Sequence, residues 1–219
     1  MTDAAHVDPH GAPLAVGGPL LEVLKLSVSD QDNNAYLLTE PGTGAQLLID
    51  AADDADRLLE LVRATGDGAL TAVLTTHRHW DHHRALGAVV ATTGAAVLAG
   101  AEDADALPCA ADVRLRHGDT IALGPLQLDV VALRGHTPGS VALVTSTGTG
   151  TCLFTGDSLF PGGVGKAGSS ADFASLIDDV ESRLFAIYPD DAVVHPGHGD
   201  STTLGAERAE LPGWRARGW

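Results

Sequence analysis

Apolar and polar positions alternate between two periods along the chain. A period near 3.6 marks 53–65, where Leu58, Leu59, Leu61 and Val62 share one side and Gly66 follows as a stop. It returns over 172–185, where Phe173, Leu176, Ile177, Val180 and Leu184 form one stripe, with Ser170 or Asp172 placed to cap it. A third helix is predicted over 83–92. Short apolar runs predict strands at 20–28, 35–39, 46–50, 70–75, 95–99, 127–133, 141–145, 151–155 and 192–195. Pro41-Gly42 marks a hairpin turn between the second and third of these. Strands and helices interleaved over the whole length, with early hairpins, predict layered sheets flanked by helices.

Residues 1–18 break this pattern. They are rich in Ala, Gly and Pro and predict a loose tail, with His6 and His10 solvated. Residues 19–219 then read as one domain, since no long Ser/Gly/Pro linker divides them. Apolar residues make up 44% of the chain and aromatic residues 4%, so the core must be built mainly from Ala, Val and Leu. The N-terminus has no basic start or long apolar stretch, and no run approaches a membrane span, so a cytoplasmic protein is expected. Cys109 and Cys152 are too few for a disulfide framework, and Cys152 sits in an apolar run. The formal charge of −16, from 13 basic and 29 acidic residues, opposes nucleic acid or membrane partners and says nothing more about function; a small-molecule substrate is the expected partner.

The chemistry is concentrated after strands. The run at 70–75 leads into His77, His79, Asp81 and His82; the run at 127–133 leads into His136; that at 151–155 into Asp157; and that at 192–195 into His198. Strand ends on one rim are where a rigid scaffold can converge reactive groups. In extended chain His77 and His79 project to one side, two residues apart. Asp81 and His82 follow as the chain turns toward a helix, placed for a second ion. Imidazole and carboxylate donors suit zinc, iron or manganese. Asp157 is the only acidic residue in its loop, and its two oxygens can bridge two metals. Asp50 at a strand end and His195 are candidates to support the ligands; Asn33 and Asn34 are expected to shape the hairpin, and Trp80 to wall or underlie the site.

These motifs carry a resemblance. Thr76-His77-Arg78-His79-Trp80-Asp81-His82 is similar to the T-H-x-H-x-D-H signature of the metallo-β-lactamase superfamily. The segments Gly135–Ser140, Phe154–Phe160 and Pro196–Gly199 resemble its remaining metal-binding loops, in the same order. The resemblance implies an α/β fold of the αββα sandwich type, two mixed sheets flanked by helices, with the site on one edge. It implies one ion held by His77, His79 and His136, a second by Asp81, His82 and His198, and Asp157 between them. The expected cofactor is two divalent metal ions, zinc first, with iron or manganese as alternatives. A metal-activated hydroxide would attack a carbonyl, with Asp81 orienting it and taking its proton.

Thr155–Phe160 followed by Gly165-Lys166 further resembles the hydroxyacylglutathione hydrolases, or glyoxalase II, in which a lysine at this place binds the thiol end of the thioester. Lys166 is therefore the expected substrate-binding residue. Two departures stand out. Gly168 replaces an aromatic residue of that family, and residues 199–219 are few beside its long C-terminal helical region. The expected substrate is thus a thioester of a different small thiol, or a related ester or lactone. The competing readings are a mononuclear-iron persulfide dioxygenase, which characteristically has an arginine near position 166, and a non-catalytic metal-binding module, which would have lost ligands.

Overall fold

A computed structural model describes residues 5–218. Two sheets form its middle. The first runs in the order β1 (Leu14–Ala15), β2 (Glu22–Ser27), β3 (Asn34–Thr39), β4 (Gln46–Ile49), β5 (Leu70–Thr75), β6 (Ala96–Gly100) and β7 (Val113–Leu115). Strands β1 to β4 are antiparallel, and β4 to β7 are parallel. The second sheet contains β8 (Thr120–Leu123), β9 (Leu126–Ala132), β10 (Val141–Ser146), β11 (Thr151–Gly156), β14 (Val193–Pro196) and β15 (Thr202–Thr203). Only its β11–β14 pair is parallel. Between β11 and β14 lies a small hairpin of β12 (Leu159–Phe160) and β13 (Gly163–Val164).

Three buried clusters hold four layers together. Tyr36, Leu38, Ile49, Leu74, Leu128, Leu143 and Phe154 fill the space between the sheets. Leu37, Leu48 and Val73, on the opposite face of the first sheet, pack against Leu58 and Val62 of α1 (Ala55–Ala64) and Leu86 and Val89 of α2 (Leu86–Thr93). On the outer face of the second sheet, Leu153 and Val194 meet Phe173, Leu176, Ile177 and Val180 of α3 (Ser170–Val180). Central strands are buried on both faces, which is why they read as continuous apolar runs. The result is the expected αββα sandwich of two mixed sheets.

Several boundaries differ from the sequence reading. Helix α2 begins at Leu86 because Trp80–His82 form a separate 3-10 turn and His83 leaves helical geometry. The cap of α3 is Ser169, whose hydroxyl accepts from the Asp172 amide. The loose tail expected over 1–18 does not hold for residues 5–18. Val7 is buried, β1 pairs with β2, the Gly11 carbonyl accepts from Arg57, and the Ala5 carbonyl accepts from the buried Lys25 at 2.7 Å. Residues 1–4 lie outside the described residues. The C-terminal segment forms α4 (Leu204–Arg208) and α5 (Leu211–Arg217), and the buried Trp214 packs edge-on to Phe185. Cys109 and Cys152 are both free. Among the described residues, no helix is long and apolar enough to cross a membrane.

Candidate metal centre

The C-terminal ends of β5, β11 and β14, and the loop after β9, meet on one rim. Each delivers ligand-type side chains there because a strand held between two packed faces fixes where its exit loop starts. Close backbone approach tightens the loops. A β-carbon at Gly197 would lie 2.3 Å from Asp157 Oδ1 and 2.6 Å from His82 Cε1, so glycine is required for these side chains to occupy their places. Gly156, at φ +49°, turns the chain just before Asp157.

Three donor groups result, each with its ligand atoms within 4.8 Å of one another: His77, His79 and His136; Asp81, His82 and His198; and, joining them, His77, His82 and Asp157. His77 Nε2 lies 3.1 Å from His79 Nδ1, and His82 Nε2 lies 3.2 Å from His198 Nε2. Asp157 stands between the groups. Its Oδ2 is 3.6 Å from both His136 Nε2 and His198 Nε2, and its Oδ1 is 3.3 Å from His82 Nε2. Asp81 Oδ2 lies 3.4 Å from His198 Nε2. Donors sharing one ion at roughly 2.1 Å lie about 3 to 3.5 Å apart, close to these separations.

Hydrogen bonds on the far side of the rings settle which nitrogen faces inward. His136 Nδ1 donates to the Lys166 carbonyl at 2.8 Å, and His198 Nδ1 donates to the Gln31 carbonyl at 2.9 Å. His82 Nδ1 donates to Asp50 Oδ2 at 2.9 Å. Thr76 Oγ1 donates to Asp50 at 2.8 Å, so at 3.1 Å it can only accept from His77 Nδ1. With these four Nδ1 atoms so engaged, His77, His82, His136 and His198 face inward through Nε2, which carries the lone pair when the ring is neutral, while His79 faces His77 through its Nδ1. No donor answers them fully: His136 Nε2 and Asp157 Oδ1 are buried without a hydrogen-bond partner. Converging lone pairs and carboxylates without donors fit a cation.

The electrostatics agree. Burial, the charge on His82 and the other rings keep the His77 pKa well below normal, and burial lowers that of His136, so both stay neutral. Burial opposes a charge on His82, but Asp50 and Asp157 outweigh it and raise its pKa to about 10. Burial likewise works against an ionised Asp157, yet the charged His82 ring 3.3 Å away, with His77 and His198, holds it well below the usual carboxylate range. The pocket therefore draws positive charge.

All seven residues expected as ligands are thus brought together. Asp50 stands behind them, as anticipated, and also accepts from the Thr76 amide at 2.7 Å. Asn33 does more than shape a hairpin: its amide donates to Asp81 Oδ2 at 3.1 Å. His195 does not support the ligands. Its ring turns into the core, stacked on Phe154 and hydrogen-bonded through Nδ1 to Ser201. Lys166 is exposed; its backbone carbonyl, rather than its ammonium, is the group in contact with His136.

Two supports were not anticipated. Asp103, buried, accepts from the Arg78 amide at 3.0 Å, from Thr137 Oγ1 at 2.5 Å and from the Gly139 amide at 3.0 Å, tying the first histidine loop to the His136 loop. Arg84 donates to Asp53 and to Gln31 Oε1, both at 2.7 Å, and lies 3.8 Å over the Trp80 ring. Because the Gln31 carbonyl orients His198, Arg84 braces that ligand from outside. One of three acidic residues just after β6 and an arginine after a ligand loop carry no periodic signal that separates them from surface charge.

Comparison with known proteins gives the class. Residues 29–198 match the profile of the metallo-beta-lactamase superfamily, and the chain belongs to that superfamily. More narrowly, it is 43% identical over 136 residues to a hydroxyacylglutathione hydrolase of Jannaschia sp. (strain CCS1), covering 62% of this chain and 51% of the relative. It spans 63% of the length of the next such relative, from Fuscovulum blasticum, at 38% identity over 77% of this chain. Among solved structures, ETHE1 from Myxococcus xanthus superposes with a TM-score of 0.76 at 32% identity, over 89% of this chain and 84% of that one.

Proposed function

We propose that the chain is a dinuclear metallo-hydrolase that cleaves the thioester of a small molecule. The placement of Asp157 between two otherwise separate donor groups supports this most directly. His77, His79 and His136 would hold one divalent ion and Asp81, His82 and His198 the other. Nitrogen and oxygen donors of this kind suit zinc, with iron and manganese also acceptable. Such a pair supplies activation of a water at neutral pH and polarisation of a carbonyl. The similarity to hydroxyacylglutathione hydrolases favours a thioester over other acyl compounds, although the chain covers only part of those relatives.

Asp81 has a second task in this reading. Burial raises its pKa, but His82 and the Asn33 amide outweigh that and hold it below the normal carboxylate range. It thus remains an ionised acceptor, able to orient a water and take its proton. The ammonium of Lys166, exposed next to the carbonyl that positions His136, would contact the thiol half of the substrate.

The test is a substrate panel of thioesters, lactones and a β-lactam, run with purified protein and known metal content. Thioester hydrolysis well above the other classes is expected. Oxygen consumption on a persulfide with no hydrolysis would overturn the assignment in favour of a mononuclear-iron oxidoreductase.

A further inference from the structure

A cavity of about 310 Å³ is lined by Arg134, Pro138 and Gly139 of the His136 loop, by Arg183 just beyond α3, and by Glu102, Arg116 and His117 at the edge of the first sheet. None of its charged side chains belongs to the donor groups described above. Three arginines and a histidine around one cavity run against the composition of a chain with 13 basic and 29 acidic residues.

Asp179 anchors this side of the cavity. This buried carboxylate accepts from the Arg134 amide at 3.0 Å and from Arg134 Nε and Nη2, each at 2.8 Å. Arg183 Nη2 lies 3.2 Å from the same carboxylate, and its Nη1 donates to the Ala132 carbonyl at 2.7 Å. A single negative charge thus holds two guanidiniums side by side. One would satisfy it, so guanidinium N–H groups are left over. Arg134 Nη1 and Arg183 Nε have no hydrogen-bond partner among the described residues. From the other sheet, among the described residues, the Arg116 side chain makes no hydrogen bond and has Glu102, at 3.7 Å, as its only ionic neighbour; both are well exposed. Such a contact is worth little. Asp119, whose carboxylate accepts from the Arg116 amide at 2.7 Å, balances the third arginine, so the site rests on the unanswered guanidinium N–H groups rather than on a net charge.

We infer that this cavity is a binding site for a small anion bearing phosphate or carboxylate groups, separate from the metal centre. Guanidinium N–H groups held in place by a buried carboxylate suit such groups, because little side-chain freedom is lost on binding. The anion has two possible sources, a free metabolite or the charged end of a substrate.

Calorimetric titration of the metal-loaded full chain with inorganic phosphate at fixed ionic strength tests the site. Phosphate can also enter a metal centre, so Asp157→Ala serves as a control. The site predicts that Asp157→Ala still binds phosphate, while Arg116→Gln combined with His117→Gln weakens binding by about tenfold. Arg116→Glu should weaken it further, and circular dichroism should report native folding in each variant. No phosphate binding by the parent chain, or binding lost in Asp157→Ala and kept in the Arg116 variants, would overturn the inference. The source follows from kinetics on the parent chain. A KM increase in Arg116→Gln confined to thioesters with an anionic thiol half identifies the substrate; an Arg116-dependent, non-competitive effect of phosphate on rate identifies a free anion.

Discussion

Asp50 Oδ2 accepts from His82 Nδ1 at 2.9 Å, and neither residue is exposed. The same carboxylate takes the Thr76 hydroxyl and amide, so one side chain orders both His82 and the hydroxyl behind His77. Asparagine at this position keeps the shape but replaces an acceptor by a donor. Asp50→Asn should leave the far-ultraviolet dichroism unchanged while lowering metal affinity by about 10- to 100-fold, the usual cost of losing a partner behind a ligand. Competition with a chromophoric chelator measures it.

Gly197→Ala tests the close packing of the loops. The added methyl would contact Asp157 Oδ1 and His82 Cε1 at distances no real structure sustains, so Asp157 must move. On the proposed function, the expected outcome is a folded protein whose thioester turnover falls by at least about a hundredfold, since small misplacements of reacting groups carry that cost. A variant with parental turnover would show that the loop relaxes freely.

Much of this site was legible in the sequence because each ligand follows an apolar strand, and strand period and ligand type are local signals. His77, His79, Asp81, His82, His136, Asp157 and His198 all come together in the structure. What was not legible depends on pairing between distant segments. Arg84 and Asp103 look like ordinary surface charges until the β2–β3 hairpin and the His136 loop are placed beside them. His195 shows the reverse error: immediately before the Pro196–Gly199 loop it looked close to the ligands, but the alternation of β14 turns it into the core. The strand β1 escaped notice because two residues are too short to show a period.

Arg84→Ala separates bracing from stability. Its ion pair and its contact with Trp80 are partly exposed, so the loss in unfolding free energy should be about 1 kcal/mol. The ion shared by Asp81, His82 and His198 should nonetheless bind about tenfold more weakly, because the Gln31 carbonyl that orients His198 is no longer fixed. Denaturant titration and metal titration of the same preparation distinguish the two effects.

His195 sets a pH dependence of stability. Burial, with a smaller contribution from the charge on Lys25, lowers its pKa to about 3. In the unfolded chain a histidine titrates near 6.5. The unfolded state therefore binds the extra proton between these values, and stability falls as pH drops from about 6.5 toward 3, while above 6.5 the effect is absent. The slope is at most about 1.4 kcal/mol per pH unit. His195→Phe, in the site beside Phe154, should remove this contribution. Urea midpoints of parent and variant, compared between pH 7 and 4.5, should converge or cross as pH falls.

The central claim is that Asp157 joins two ions in one centre. Elemental analysis of the purified chain, set against the same analysis of Asp157→Ala, tests it most directly. The account predicts two divalent ions per parent chain and less than one in the folded variant, because the substitution removes a ligand common to both. One ion per parent chain, or two retained by Asp157→Ala, would contradict it.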